Sequence, residues 1–335
     1  MKVSFITFGG REIGTGHLFR CLAIANWMKL LKINTEISFH LYCSGLEKQD
    51  KALEILKSRS NYSCFIENNN TIKEMNFDTV VLDILDVSDD LVTSVKKNSN
   101  FLVSIDNVSK SRELSNIAIN PLYYKVNKSR VNHNFVGPKY QIISHTFYNK
   151  KSNWRNKVKK ILIIQGGSDP FGIAPLIVKD LESLLRNKLI EFHVVIGPAS
   201  NHSIDLLSLS DKYQSQIKIH EDITEMSNFL KDIDLAISSI GVVAFEIASM
   251  GIPAIHITGV EKELETAEAM NDLGVSINMG IYNSWSNELY EATIELIDNE
   301  ILRRNMRDNC FKYFNQSITK KLIKLISKGG VHEKH

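Results

Sequence analysis

Two stretches of the chain repeat one hydrophobic pattern: an unbroken apolar run, a glycine-bearing loop, then apolar positions at helical spacing. Lys2 to Phe8 has the continuous apolar character of a strand buried on both faces. Gly9 to Gly16 reads as a loop, and Leu18, Cys21, Leu22, Ala25 and Met28 draw one stripe along a helix from His17 to Leu31. The same order returns with Lys160 to Gln165, then GGSDPFG, then a helix from Ile173 to Leu185. Further apolar strands are expected at Thr79 to Asp83 and Phe101 to Asp106 in the first half. In the second half they fall at Phe192 to Gly197, Ile217 to His220, Ile233 to Ser239 and Ile252 to Ile257, and Glu288 to Ile326 is helical by pattern.

At 335 residues the chain exceeds what one core supports. A topology that restarts near residue 155 therefore predicts α/β architecture with two Rossmann-like domains facing a central cleft, residues 1–150 and 151–330. Asn149 to Lys160, polar and basic, is the expected linker; the last helix is expected to cross back onto the first domain, and GGVHEKH to fray.

Composition narrows the partners. Lys+Arg 40 against Asp+Glu 38 leaves +2, which argues against a nucleic-acid partner but accommodates a small anion. The four cysteines, Cys21, Cys43, Cys64 and Cys310, are scattered without a CxxC pair, so neither metal nor disulfide framework is expected, and a reduced cytoplasmic setting fits. No apolar stretch reaches a membrane-spanning length. WMKLLKI at Trp27 to Ile33 offers a peripheral membrane contact, with Lys29 and Lys32 beside Trp27, Leu30 and Leu31; a core face suits the same spacing better. Nothing in the sequence specifies an oligomeric state.

Three loop constellations carry candidate chemistry. In Gly14-Thr15-Gly16-His17 the glycines allow close backbone approach, and the helix end that follows offers free N–H groups. His17 is either a general base, since imidazole titrates near neutrality, or a helix cap. In the second loop Ser168 or Asp169 caps the next helix with Pro170 in its first turn, while Gly166 and Gly167 permit a phosphate or ribose to approach. The third, Ser238-Ser239-Ile240-Gly241-Val242 leading to Glu246, combines hydroxyls, a glycine and a helix N-terminus into a diphosphate site, with Glu246 placed to accept ribose hydroxyls. Asp83 and Asp106 end strands, which puts them at the same sheet edge as His17. His133 and His145 are further candidates for the cleft, although scattered histidines more often pack or face solvent.

GTGHLFRCLAIA, QGGSDPFG and SSIGVVAFEIASMGIPAI, in this order, resemble the nucleotide-sugar hydrolase of pseudaminic acid biosynthesis and its spore-coat polysaccharide relatives. More distantly the chain resembles the peptidoglycan N-acetylglucosaminyltransferase, of the glycosyltransferase-B fold. The resemblance covers nearly the whole chain, including GPKYQII at Gly137 to Ile143. It implies a UDP-sugar as substrate rather than a bound cofactor, no metal, diphosphate contacts around Ser238 to Val242, ribose binding by Glu246 and activation of the attacking water by His17. The chain departs from the hydrolases at Phe8, at Ile84 and Leu85 after Asp83, at Lys262 and Glu263, and at Ser144 and His145 after the GPKY strand. With Asp83 and Asp106, Lys262 and Glu263 are the sugar-side candidates. A UDP-amino-deoxy-sugar hydrolase and an inverting glycosyltransferase with a carbohydrate or lipid-linked acceptor are the two readings implied.

Overall fold

The computed structural model describes residues 1–9, 15–43, 49–84, 87–122, 131–186, 190–197, 200, 203–213, 216–283 and 287–329. It divides into two compact units: Met1–His145 with Ser317–His335, and Thr146–Gln316.

The first unit is built on seven strands: β1 (Lys2–Thr7), β2 (Glu36–Tyr42), β3 (Ser63–Glu67), β4 (Phe77–Asp83), β5 (Ser99–Ile105), β6 (Ile117–Asn120) and β7 (His133–Val136). They pair in the order β3-β2-β1-β4-β5-β6-β7, every pairing parallel. Helices α1 (Gly16–Leu30), α2 (Asp50–Arg59), α3 (Asn69–Glu74) and α4 (Asp89–Lys97) make the connections. Because the chain leaves β1 toward β2 and returns to β4 on the other side, β1 and β4 flank the switch point where open parallel sheets bind ligands. Phe8 and Ile84, both just beyond strand ends here, join a core cluster with Ile6, Val80, Leu82 and the α4 residues Leu91, Val92 and Val95.

The second unit has β8 (Lys160–Ile164), β9 (Glu191–Val195), β10 (Ile217–His220), β11 (Leu235–Ser238), β12 (Ala254–Thr258) and β13 (Ser276–Ile281) in the order β10-β9-β8-β11-β12-β13, again all parallel. Its switch point lies between β8 and β11. The helices are α5 (Ile173–Asp180), α6 (Glu182–Leu185), α7 (Ser203–Lys212), α8 (Met226–Phe229), α9 (Val242–Ser249), α10 (Glu261–Asp272), α11 (Glu288–Asp298) and α12 (Glu300–Tyr313). Ile161, Ile163, Ile237, Ile255 and Ile257 present one apolar sheet face to Ile173, Ile177, Leu289 and Leu296.

Helix α13 (Ser317–Lys328) packs on α1 within the first unit. Its Thr319, Leu322, Ile323 and Ile326 are buried, and Lys320 Nζ lies 5.9 Å from the Trp27 ring centre.

Several expectations change. The division falls after His145, not at 150. The stretch from Asn149 to Lys160 is pinned to the second unit instead of hanging between domains: Ser152 N–H donates to Met250 O, Arg155 pairs with Asp232 and Asp234, and Arg307 bonds Ser152. Arg155 finds carboxylates that a composition scan does not see. The helix expected over Ile173 to Leu185 breaks at Leu181, and Pro170 precedes the helix instead of entering its first turn. GPKY is a 3-10 turn at Pro138–Tyr140, entered through Gly137 at φ 110. Trp27 is fully buried and its Nε1–H donates to Ile143 O at 2.8 Å, which removes it from any membrane contact. No described helix is long and apolar enough to cross a membrane.

The α13 contact is open to a direct check. Ile323→Ala truncates a side chain with no solvent exposure, so urea unfolding of the variant is expected to show a loss of about 2–4 kcal/mol.

Candidate active site

Thr15, buried, precedes α1, and its carbonyl accepts from Phe19 N–H. Gly16 is the first residue of the helix; Gly14 and Leu85 lie outside the described residues. Among the described residues no acid lies in the first turn of α1 and no side chain caps it. His17 stands in the first turn and Arg20 one turn on, on the same face. His17 reaches the end of β4, and Arg20 the ends of both β4 and β5.

Asp83 Oδ1 lies 2.6 Å from His17 Nδ1 and accepts from Arg20 Nη2 at 2.7 Å, while Oδ2 accepts from Arg20 Nε at 2.8 Å. Arg20 Nη1 forms an ion pair with Asp106 at 2.6 Å and donates to Gln141 Oε1 at 3.4 Å. Burial alone would push the Asp83 carboxyl up, but Arg20 and then His17 outweigh it and hold it at about 2. For Asp106 burial dominates and the carboxyl is raised. Asp106 also sits at φ 53, a backbone conformation that few side chains other than Asn and Asp adopt readily.

This network assigns the imidazole tautomer. An ionised Asp83 only accepts, so the short contact requires a proton on Nδ1, which leaves Nε2 as the ring nitrogen available for proton exchange. Arg20 Nη2, 3.2 Å from Nδ1, is then a neighbour brought there by its bond to Asp83, not a donor to the ring. Phe8 stacks on the other side of the imidazole, with ring centres 5.0 Å apart. The arrangement orients the imidazole between Asp83 and Phe8.

Asp83 and Asp106, expected on the sugar side, are buried and paired with Arg20, and Asp83 also holds His17. Ile84 is core. His145 packs edge-on against Trp27, and His133 opens the exposed start of β7. Sequence reasoning passed over Arg20 and Gln141. The available signal was a charge one turn beyond His17 in an otherwise apolar helix.

In the second unit the Gly166, Gly167 and Ser168 turn follows β8, and Ser239 to Gly241 follow β11. These loops meet: Ser239 N–H donates to Ile164 O at 3.2 Å, and a Cβ on Gly166 would lie 3.4 Å from Ser239 Oγ. Gly166 is at φ 73, and the space beside it is closed by Gly197, where a Cβ would lie 2.4 Å from Gly167 O. Only glycines fit this crossing of backbones.

The two helix ends differ. Asp169 caps α5 by accepting from Ile173 N–H at 2.8 Å and Ala174 N–H at 3.0 Å, so a carboxylate already occupies that end. At α9 the cap residue Gly241 has no side chain, no acid lies in the first turn, and a Cβ on Gly241 would meet nothing within 4 Å. The Val242 end of α9 is thus open to an anion. Ser238, expected to present its hydroxyl there, is buried, with Oγ 3.0 Å from His256 Nδ1, whereas Ser239 is partly exposed. Burial holds His256 near 4, so it is a neutral partner.

Glu246 lies one turn into α9, and its carboxyl has no hydrogen-bonding partner among the described residues. Its side chain keeps some solvent contact, yet the protein around it desolvates the carboxyl and pushes it up to about 8. Lys262 and Glu263 begin α10 after β12. Lys262 is exposed; Glu263 accepts from Gly259 N–H at 2.9 Å, closing its own turn. Among the described residues no group of three or more His, Cys, Asp or Glu is arranged to hold a metal.

Two parallel-sheet α/β units, each with its polar residues at a switch point, are the architecture of glycosyltransferase-B structures. The chain matches the crystal structure of Acinetobacter baumannii MurG with a TM-score of 0.69 at 15% identity, covering 98% of this chain and 99% of the other. A co-structure of S. aureus MnaA with UDP matches at 0.64 and 13%, over 98% and 96%. In sequence, an uncharacterized protein of Methanocaldococcus jannaschii is 30% identical over 272 residues, 76% of this chain and 55% of that protein, so the chain spans about half of that relative's length. The spore coat polysaccharide biosynthesis protein SpsG of Bacillus subtilis is 25% identical over 290 residues, 84% of each. No family model matches the chain.

Two stability measurements test this site. Asp83→Asn leaves one acceptor oxygen where Arg20 and His17 present three donors, and denaturant titration at pH 7 is expected to show a loss of about 3–5 kcal/mol. The Asp83 carboxyl is lowered in the fold, so its contribution is complete above the ordinary carboxylate range and is lost as pH falls through about 2. The gap between the two proteins should narrow over that window. Glu246 has the opposite sign: its carboxyl is raised, so stability falls as pH climbs from the ordinary glutamate range through about 8. Glu246→Gln should melt like the parent at pH 4 and, by calorimetry, on the order of a few degrees higher at pH 9.

Proposed function

We propose that the protein processes a UDP-sugar in surface polysaccharide biosynthesis, with inversion at the anomeric carbon and His17 as the base. The observation that carries this reading is the orientation of His17, with Nδ1–H fixed on Asp83 and Nε2 left for proton exchange. Support for the nucleotide comes from the open end of α9, the glycine crossing beside it and Glu246, and from the UDP in the matched MnaA structure. The likeness to SpsG supports the polysaccharide setting.

In the proposed reaction His17 Nε2 takes a proton from the attacking oxygen, whose lone pair forms the new bond to the anomeric carbon. The bond from that carbon to the phosphate oxygen breaks, and its electron pair leaves with UDP. The diphosphate then carries the developing charge, which N–H donors at the α9 end would stabilise. The ribose hydroxyls would donate to Glu246. Arg20, Asp83 and Asp106 act as positioning residues.

With water as the nucleophile the enzyme is a hydrolase that releases a free amino-deoxy sugar, the reaction of the pseudaminic acid branch that its motifs resemble. Transfer to a carbohydrate or lipid-linked acceptor uses the same base, and the fold match to MurG favours it as the second reading.

Incubation with a panel of UDP-sugars without acceptor, followed by NMR of the anomeric proton and of UDP, distinguishes them. Free sugar appearing in step with UDP, with inverted configuration, is the expected result. UDP released only on adding an acceptor would establish transfer, and no turnover under either condition would remove the enzymatic reading. His17→Ala is expected to abolish turnover while UDP affinity changes little. Asp83→Asn should lower kcat by about 10²–10⁴-fold with KM nearly unchanged, and it should alter the pH profile of kcat, which a purely structural loss would leave in place.

A further inference from the structure

One loop of the second unit carries an aromatic surface that the proposed reaction leaves unused. The loop leaves β8 at Gly166 and Gly167, which lie against Gly197 after β9 and Ser239 after β11. Further along, Phe171 lies over Gly259 after β12, where a Cβ would come within 2.9 Å of its ring. It also stacks on Tyr282 after β13, with ring centres 5.2 Å apart and planes at 22°. Because β11 lies between β8 and β12 in the sheet, the loop runs along the carboxyl edge past the turn that leads into α9. The strand that ends at Gly259 is the neighbour of β11, about 5 Å away. Tyr282 N–H donates to Thr258 O at 3.0 Å and Glu263 Oε2 accepts from Gly259 N–H at 2.9 Å, so the backbone under Phe171 is tied down. Phe171 is 41% exposed, and Val260 42%. Glu263, expected on the sugar side, is thus engaged in its own turn, and beside the exposed Lys262 this edge offers a ligand apolar surface.

We infer that Phe171, backed by Tyr282, is the surface on which the sugar ring of the nucleotide sugar lies, and that the ring it suits is a deoxy sugar. This rests on the UDP-sugar reading. With the diphosphate at the start of α9 and the ribose at Glu246 within that helix, the sugar is the part left for the neighbouring loops. The face of an aromatic ring is electron-rich and attracts the polarised C–H groups of a sugar. A hydroxyl pressed against it would give up water and find no partner, whereas a hydrogen or a methyl group in its place gains from the contact. Stacking of the uracil is the competing use of an aromatic face. The position of Glu246, one turn into α9, draws the nucleoside along that helix instead.

Calorimetric titration with UDP, UDP-N-acetylglucosamine and the 6-deoxy form of that sugar nucleotide tests the inference. The unaltered protein is expected to bind the 6-deoxy form about fivefold tighter than the hydroxylated one. Phe171→Ala should weaken both UDP-sugars about tenfold and UDP by less than about twofold. Gly259→Ala should act in the same direction, because its methyl group displaces the Phe171 ring while the backbone there is not at a positive φ that demands glycine. Equal or weaker binding of the 6-deoxy form would overturn the inference, as would a Phe171→Ala loss below about twofold for both sugars. An equal loss for UDP would overturn it as well, by placing the base on the ring. In each of these outcomes UDP still binds the unaltered protein. If neither UDP nor the UDP-sugars bound, the UDP-sugar reading would fail and the inference with it. The comparison of the two sugars uses the unaltered protein, so it decides the matter even if a variant fails to fold.

Discussion

A single buried guanidinium organises the first unit. Arg20 lies almost wholly out of water, and its charge is sustained by Asp83 on one side and Asp106 on the other. Desolvating such a cation would be prohibitive without partners at hydrogen-bonding distance, so the fold must bring α1, the end of β4 and the end of β5 to one point. That requirement also settles how the carboxylates divide their roles. Asp83, gripped at both oxygens, stays ionised and can hold an imidazole proton; Asp106, less well compensated, has its carboxyl raised. The orientation of His17 is a by-product of the way Arg20 is kept charged.

The two switch points share a topology and differ in the chemistry they offer. In the first unit the important group is a side chain, His17, whose basic nitrogen is defined by what its other nitrogen bonds. In the second it is the main chain, because glycines let the backbone be approached closely and α9 begins without a side-chain cap. Asp169 sharpens the contrast by filling the neighbouring helix end with a carboxylate, so that an anion meets donors at α9 and an acceptor at α5. A partly exposed carboxyl raised to about 8, as at Glu246, is tolerable beside such a site because it is neutral near physiological pH.

The central strands were legible because β1, β4, β5, β8 and β11 are rich in Val, Ile, Leu and Phe, most of them buried, which is what cover on both faces demands. Strands β2, β3, β6, β7 and β13 were not foreseen. β3 and β13, with polar or glycine residues among their apolar ones, lie at sheet edges where only part of each side chain is covered. His17 could be found because histidine after a glycine loop is chemically conspicuous. Its supports could not, since Asp83 and Asp106 at strand ends read equally well as ligand contacts until Arg20 is seen between them. Ser238 illustrates a further limit. Neighbouring serines alternate across a strand, and sequence does not say which faces inward; His256 on the adjacent strand decides it.

Because α13 belongs to the first unit, that unit is discontinuous in sequence while the second is contiguous. During synthesis the second unit has all its residues once position 316 has been made, but the first lacks one of its helices until residues 317–328 follow. Until then the α1 face on which α13 packs has nothing over it, and hydrophobic surface left open in a growing chain invites premature association. The order of translation thus makes the last helix the step that completes the oldest part of the chain.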